Sequence, residues 1–231
     1  MRLRVWQPAM GWREFLDELV IVILGVLIAL WVGKLSTSID WRSRDSQTRD
    51  ALSGELADAL TNLETRRAIA PCMNRRLDAI ATILQRAQTS GRLPAVPSLP
   101  LSPGANWESG AWQVSVDSET AANLRVAQLN ALSLVYSNIS RLQSRNDRER
   151  EAWARLATIS GPPRAVGADE ISELRTALNM ARDLEGRMEI AASWMPAMIR
   201  LSGLAVSLSP AEHRQIDQGT SSFCSGWPVG A

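Results

Sequence analysis

The sequence predicts an all-α protein, in which an N-terminal transmembrane helix is followed by an antiparallel helical bundle with a proline-rich crossover loop. Three observations lead to this fold class. Residues 19–33 are an uninterrupted run of apolar residues and glycine. Apolar side chains recur at every third or fourth position in most of the remaining chain, which is the period of an α-helix. Residues 91–110 interrupt that period with four prolines.

The predicted membrane anchor comprises residues 15–35, and residues 1–14 form a cytoplasmic or interfacial segment before it. The core of the anchor, LVIVILGVLIAL, has neither the polar face of a surface helix nor the turn residues that bound a strand. A helix needs about 20 residues to cross about 30 Å of hydrocarbon, and residues 15–35 meet that length. Trp12 and Trp31 stand near the two expected interfaces, where indole rings are favoured.

Two alternatives to an anchor are a cleaved signal peptide and a buried helix of a soluble domain. Ser36 and Ser38 would form a weak cleavage site. A signal peptide begins with a positively charged segment, however, and here Glu14, Asp17 and Glu18 stand directly against the apolar run. We therefore favour an uncleaved anchor, with Asp17 and Glu18 at the membrane interface rather than in a proton path.

Gly25, Ala29 and Gly33 lie on one face of the predicted span because they are four residues apart. Such a row of small residues lets a second helix approach closely. We interpret the row as a helix-association face, through which the chain meets a second copy or another membrane protein. Glycine and alanine are common in spans, so an idle stripe turned toward lipid is the alternative.

The cysteines offer a clue to orientation that the flanking charges do not. Basic residues flank the span almost evenly, so the positive-inside rule does not decide which end is cytoplasmic. The chain has two cysteines, Cys72 and Cys224, and an even number is compatible with one disulfide in an exported domain. We therefore expect a Cys72–Cys224 disulfide and, with it, residues 36–231 outside the cytoplasm. The alternative is two unrelated small apolar side chains.

Three long apolar stripes predict the helices of the bundle, and each must bury its stripe against the others. Pro71 interrupts the first stripe, and we expect the helix to kink or divide there. The charged segment SRNDRERE, residues 144–151, is predicted to be a turn within the second stripe. The turn GPPRAVG, residues 161–167, should make the second and third helices antiparallel neighbours. The stripes are Leu52, Leu56, Leu60, Leu63, Met73, Leu77, Ile80 and Leu84; Leu124, Ala127, Ala131, Leu132, Val135, Ile139, Leu142, Trp153, Leu156 and Ile159; and Ile171, Leu174, Leu178, Ala181, Leu184, Met188, Ala191, Met195 and Ile199.

Two further segments complete the predicted domain. The tetrapeptide SPAE predicts a short last helix, with Ser209 as cap, Pro210 in the first turn and Glu212 closing a capping box. The prolines of residues 91–110 fall at every third position, which is the repeat of a polyproline II helix. We interpret this segment as a stiff connector across the bundle. A docking ligand for a proline-binding groove is the alternative.

Composition and motifs favour no catalytic chemistry. Lysine and arginine number 25 and aspartate and glutamate 24, so the net charge is +1 and gives no electrostatic case for binding nucleic acid. The single histidine, His213, is expected on the surface near a helix start. The sequence contains none of the common metal-ligand, nucleophile or phosphate-loop motifs. We therefore expect no enzyme, no metal site and no cofactor.

Trp107 and Trp112 flank ESGA just after the proline-rich segment. Indole rings of this kind stack on ligands in pockets at the end of helical bundles, and they also serve as core filler. They are the candidate ligand-binding residues of the domain.

Two segments resemble a family of uncharacterised bacterial single-pass inner-membrane proteins. They are EFLDELVIVILGVLIAL at residues 14–30 and NWESGAW…LNALSLVYSNI within residues 106–139. In that family an EFLxExxIVxxGVLIAL span precedes a helical domain with a tryptophan-serine-glycine motif and a later helix that carries a tyrosine. Trp107, Gly110 and Tyr136 are placed similarly here, so Tyr136 joins the two tryptophans as a candidate pocket residue. The resemblance implies an anchor in the bacterial inner membrane with the domain in the periplasm, and it implies no activity.

We expect a non-enzymatic membrane-anchored scaffold or accessory subunit that contacts other membrane or periplasmic proteins, or a second copy, through its span and its bundle. The alternative is an extracytoplasmic ligand-sensing domain that signals through its anchor to another protein. A scaffold predicts a filled bundle and an exposed apolar surface. A sensor predicts a polar-lined pocket near the two tryptophans.

Overall fold

The computed structural model describes residues 12–100 and 102–225, except for the side chains of residues 12–14 and 32–42. This part of the chain is almost entirely helical, which confirms the predicted all-α class. A pair of very short strands is the exception. The helices are α1 (Trp12–Ser90), α2 (Gly110–Asp117), α3 (Val126–Leu156), α4 (Ala168–Leu201) and α5 (Pro210–Ser225), with 3₁₀ turns at Thr120–Asn123 and Ala157–Ile159 and antiparallel strands β1 (Arg92–Leu93) and β2 (Arg164–Ala165).

The chain forms two units that divide between Gln47 and Thr48. In the first unit every side chain of residues 15–31 is exposed, the apolar ones included. Within the described part of the chain, no helix has an apolar stretch that is long enough to cross a membrane. The predicted anchor continues to residue 35, and its side chains from residue 32 onward lie outside the described ones, as do residues 1–11 of the predicted N-terminal segment.

α1 is not divided at Pro71, where the sequence predicted a kink or a division. A proline inside a helix removes one backbone donor and leaves the carbonyl four residues earlier without its usual partner. Pro71 is exposed, and so is Arg67, which carries that carbonyl. Water can therefore satisfy the free carbonyl, and the helix continues.

α3 continues through residues 144–151, so the predicted charged turn is wrong. The segment contains no glycine or proline that would end a helix. Asn146 and Glu149 are its buried members, and both have hydrogen-bond partners inside the domain. A buried polar side chain is tolerated when it is hydrogen-bonded, and the local sequence does not show whether a partner exists.

In the second unit α1, α3 and α4 pack around two apolar clusters. The first cluster joins the C-terminal part of α1, the end of α3 and the beginning of α4. The second joins residues 52–63 of α1, the beginning of α3 and the end of α4. α4 is thus antiparallel to α3, as predicted, and also to α1. α1 and α3 are parallel, which differs from the predicted antiparallel bundle, because the crossover returns the chain to the end at which α1 enters. The first cluster includes Met73, Leu77, Ile80, Trp153, Leu174 and Leu178, and the second includes Leu52, Leu56, Leu132, Ile139, Met188 and Met195.

The proline-rich crossover is held against the turn between α3 and α4. Beyond the pairing of β1 with β2, Val96 and Gly161 exchange backbone hydrogen bonds of 3.0 and 2.9 Å. Gly161 has a φ of +130°, a conformation that glycine adopts without strain. Leu93, Val96 and Leu99 are buried at a spacing of three residues, the repeat of a polyproline II helix, and pack on the first cluster. This burial favours the connector interpretation of the segment.

Candidate functional site

A buried layer of charged residues lies between the two apolar clusters. Arg66 of α1, Glu149 of α3 and Glu185 of α4 each contribute a side chain, and none of the three is more than 3% exposed. Arg66 Nη2 donates to Glu149 Oε1 at 2.9 Å and to Glu185 Oε2 at 2.5 Å. Its Nη1 donates to the carbonyl of Pro103 at 3.3 Å. Three helices and the crossover therefore meet at one guanidinium group.

The layer holds two carboxylates for one guanidinium, so its charges do not balance when both are ionised. Burial raises the pKa of Glu185 to about 7, because desolvation outweighs the attraction of Arg66, and the negative charges of Glu149 and Glu189 act in the same direction as burial. Arg66 Nε and Glu149 Oε2 have no hydrogen-bond partner among the described residues. Glu185 thus accepts a proton at a much higher pH than a glutamate in water.

We expect the stability of the domain to fall as the pH rises from 4.5 to about 7, because of Glu185. Its pKa is raised on folding, so this contribution is complete below the unfolded pKa and is lost as the pH rises through the folded pKa. The loss is about 3 kcal/mol at most. Urea denaturation at about pH 5 and about pH 8 measures it. Glu185→Gln, which stays neutral, should remove most of the difference, and an unchanged difference in this variant would contradict the assignment.

Asn146 attaches the crossover to α3 one turn before Glu149. Its Oδ1 accepts a hydrogen bond from the backbone N–H of Ala105, and its Nδ2 donates to the carbonyl of the same residue, both at 3.2 Å. Gln143 Oε1 accepts from the backbone N–H of Trp107 at 3.3 Å. Side chains of α3 therefore satisfy backbone groups of the crossover where it has no strand partner.

The sequence interpretation missed this layer, although a signal was present. Two of the three stripes have a charged residue where helical spacing expects an apolar one, namely Arg66 and Glu149. The third stripe is uninterrupted, and Glu185 stands beside Leu184 without any such signal. A charged residue usually turns toward water. Here all three lie at the same level of the bundle, where each supplies a partner for another.

The three predicted pocket residues lie together in the second apolar cluster. Trp112, on α2, stacks on Tyr136 of α3 with ring centroids 5.1 Å apart and planes inclined by 6°. Trp107 and Tyr136 are buried, and Trp112 packs against the cluster from its edge. Their rings are therefore in contact with the core itself, which is the filler role of a buried tryptophan.

Glu55 of α1 holds the beginning of α2 next to these rings. Its Oε2 accepts from the backbone N–H of Ala111 at 2.5 Å, at a helix N-terminus where a negative charge is favoured. Burial raises the pKa of Glu55, and the bond from Ala111 opposes that rise. Burial also raises the pKa of Tyr136, and the charge of Glu55 raises it further. Glu55 Oε1 and Tyr136 Oη have no hydrogen-bond partner of ordinary geometry in the described part of the chain.

Cys72 of α1 and Cys224 of α5 form a disulfide, with their Cα atoms 5.5 Å apart. Two arginines of α1 contact the bonded segment. Arg75 Nη2 donates to Cys72 Sγ at 3.3 Å. The guanidinium of Arg76 lies 4.0 Å from the ring centre of Phe223 and donates to the carbonyl of that residue. The pairing supports the first of the two interpretations that the sequence left open for the cysteines.

α5 begins with the predicted capping box. The backbone N–H of Glu212 donates to Ser209 Oγ at 3.3 Å, and the backbone N–H of Ser209 donates to the Glu212 carboxylate. These bonds lower the pKa of Glu212. His213 is exposed, as predicted, and its Nδ1 lies 2.9 Å from the carbonyl of Ser209.

The predicted association face lies in the exposed part of α1. Gly25 and Ala29 of the predicted association face are exposed, and a side chain at Gly25 would meet open space. Gly33, the third member, is among the residues whose side chains lie outside the description. Across residues 12–100 and 102–225, no group of three or more histidine, cysteine, aspartate or glutamate residues is arranged to hold a metal ion.

Comparison with known proteins identifies no relative. No family model, no curated protein and no solved structure matches the chain.

Proposed function

We propose that the protein is a non-enzymatic, membrane-anchored scaffold or accessory subunit of the bacterial inner membrane, with residues 15–35 as its anchor and residues 36–231 in the periplasm. The observation that carries this proposal is a contrast within α1. Over residues 15–31 its apolar side chains are exposed, whereas over residues 52–84 its apolar stripe is buried. A continuous exposed apolar surface of this kind marks contact with lipid or with another protein.

The length of the apolar segment supports an anchor. Residues 15–31 extend for about 25 Å at about 1.5 Å per residue, slightly less than the hydrocarbon layer. The four residues up to position 35 would bring the segment to about 30 Å. Lys34 lies at that end, where a long basic side chain can reach the headgroups.

The disulfide supports a periplasmic domain. Disulfides persist in oxidising compartments and are rare in the cytosol, where thiols are kept reduced. Cys72 and Cys224 are the two cysteines of the chain, and both take part in the bond.

The packing of the aromatic residues favours a scaffold over a ligand sensor. A sensor would use Trp107, Trp112 and Tyr136 to line a pocket, and these side chains instead pack with the second apolar cluster. The exposed apolar part of α1 is available for contacts with a partner.

Thiol labelling in intact cells tests the orientation. A membrane-impermeant maleimide should label Cys72 and Cys224 only after a reductant is added, because both sulfurs are bonded and the domain is outside. As the control, Gln7→Cys in a Cys72→Ser/Cys224→Ser background should be labelled only after lysis. Labelling of the two native cysteines after lysis without reductant, and not before lysis, would place the domain in the cytoplasm.

Site-specific photocrosslinking tests the contact through the span. A photoreactive residue at Ala29, on the face of small residues, should give a discrete crosslinked product with a membrane protein or a second copy. Leu27 lies on the opposite face of the same helix and is the matched control. Equal crosslinking from the two positions, or none from Ala29, would rule out this face as the contact.

A further inference from the structure

We propose that the Cys72–Cys224 disulfide is a redox-controlled latch: exchange with a dithiol reductant opens the bond and releases α5 from the domain. Four observations support this inference. α5 buries none of its residues, and the apolar clusters of the bundle are built without it. Arg75 contacts Cys72 Sγ, and a cleft lies between α5, α1 and the crossover.

α5 is seated shallowly on α1. It has no buried residue, whereas α4 buries twelve. Its inner side consists of half-buried positions, among which Gly219 faces Thr65, and a Cβ added there would be in ordinary contact with the threonine methyl group at 3.6 Å. A helix of 16 residues is marginal in water without tertiary contacts. The covalent bond keeps α5 at a high effective concentration next to its site.

The bundle core does not depend on α5. Both apolar clusters are built from α1, α3, α4 and the segments that connect them, and α5 adds only the half-buried Phe223 to the rim of the first cluster. Opening the bond therefore leaves the contacts among α1, α3 and α4 within both clusters in place, and the first cluster loses only the rim contact of Phe223. α5 can therefore dissociate while the three long helices stay folded, which is the first requirement of a latch.

The surroundings of the bond favour exchange. Cys224 is half-buried and is the more exposed residue of the pair, whereas Cys72 is 8% exposed. The guanidinium of Arg75, at 3.3 Å from Cys72 Sγ, favours departure of that sulfur as a thiolate. Arg75 is itself exposed and has no structural role in the core.

The exchange balances with a dithiol as co-reactant. A thiolate of the reductant attacks Cys224 Sγ, the Cys72–Cys224 bond breaks, and Cys72 leaves as a thiolate beside Arg75. The second thiol of the reductant then attacks the mixed disulfide and releases Cys224 as a thiolate. The reductant leaves as a disulfide, so two electrons pass to the two cysteines.

α5 forms one wall of a cleft, and its release would expose the other walls to solvent. The cleft has a volume of about 370 Å³ and lies between α1, α5 and the crossover. Ile69 and Arg76 line it from α1, and Pro100 and Pro103 line it from the crossover. Arg76 is almost fully buried beneath Phe223, so its guanidinium becomes accessible to solvent when α5 leaves.

Hydrogen–deuterium exchange of the full chain in detergent micelles tests the latch. We compare the oxidised protein, the protein reduced with dithiothreitol, and the variant Cys72→Ser/Cys224→Ser. On reduction and in the variant, exchange in residues 210–225 should approach the rate of an unfolded segment, about tenfold or more above any rise in α3 and α4, which remain protected. Unchanged exchange in α5 would overturn the proposal. A rise in α5 no larger than the rise in α3 and α4 would also overturn it, because the bond would then act only on the stability of the whole domain.

The rate of opening tests the role of Arg75. Arg75→Gln should slow reduction by dithiothreitol by about threefold or more, because the departing thiolate loses its neighbouring positive charge. Arg86→Gln changes another exposed arginine of the same helix that has no contact with either sulfur in the structure, and it should leave the rate unchanged. Trapping the thiols at intervals and separating the two forms on a gel measures both rates. Equal rates in the two variants would remove Arg75 from the exchange site.

Discussion

Replacing Arg66 with leucine should lower the free energy of unfolding by about 3 to 5 kcal/mol, because it leaves two buried carboxylates without their cation. Glu149 and Glu185 are both almost fully buried, and the Arg66 guanidinium is the cation that pairs with each of them. The substitution also removes the hydrogen bond to the carbonyl of Pro103. Chemical denaturation of the full chain in detergent, followed by the helical circular dichroism signal, measures the change.

Arg67→Leu is the matched control for this prediction. Arg67 is the next residue of α1 and is exposed, so its replacement should change stability by no more than about 0.5 kcal/mol. Replacing Arg66, Glu149 and Glu185 together by leucine should recover most of the loss, since no unpaired charge then remains in the core. The Arg66→Leu loss should also be smaller at about pH 5 than at about pH 8, because Glu185 is then protonated. A loss below about 1 kcal/mol would show that the carboxylates find water or another partner.

Breaking the disulfide with Cys72→Ala should lower the free energy of unfolding by about 3 to 5 kcal/mol. The two cysteines are 152 residues apart, so the bond closes a very long loop and strongly restricts the unfolded chain. The chain-entropy model gives about 5 kcal/mol for such a loop, and release of α5 in the folded state offsets part of it. Denaturant midpoints of the oxidised protein and the variant, compared without reductant, measure the effect.

The single and double cysteine variants provide the internal check on this prediction. Cys72→Ala, Cys224→Ala and the double variant should lose nearly the same stability, because each of them removes the same disulfide bond. Ser222→Ala, at an exposed position of α5, is the control for a change on that helix and should be close to neutral. Additive losses in the double variant would contradict the prediction, since they would indicate that each cysteine acts through separate packing contacts.

These two predictions concern opposite sides of the folding equilibrium. Arg66 acts in the folded state, where it compensates two desolvated charges. The disulfide acts mainly on the unfolded state, whose conformational freedom it limits. A variant with both changes should therefore lose approximately the sum of the two effects.

Features that depend on neighbours within one or two helical turns could be predicted from the sequence. The apolar stripes predicted the long helices, because helical spacing is a local property. The capping box of Ser209 and Glu212 was predicted for the same reason, since both partners lie within four residues. Local rules were also the source of an error. The charged segment of residues 144–151 is helical and not a turn, because burial at those positions depends on the packing of the whole domain. At Pro71 the same rules left a kink and a division open, and α1 is not divided there.

The folded domain was needed to learn which other distant residues meet. Arg66, Glu149 and Glu185 come from three helices, and their pairing depends on the relative register of those helices, which no single stripe encodes. The same holds for the stack of Trp112 on Tyr136. The bond between Cys72 and Cys224 could be proposed from the sequence, because the chain has no other cysteine. The parallel arrangement of α1 and α3 likewise depends on the path of the crossover rather than on either helix. Periodicity fixes which face of a helix is apolar, and packing against the other helices fixes what that face meets.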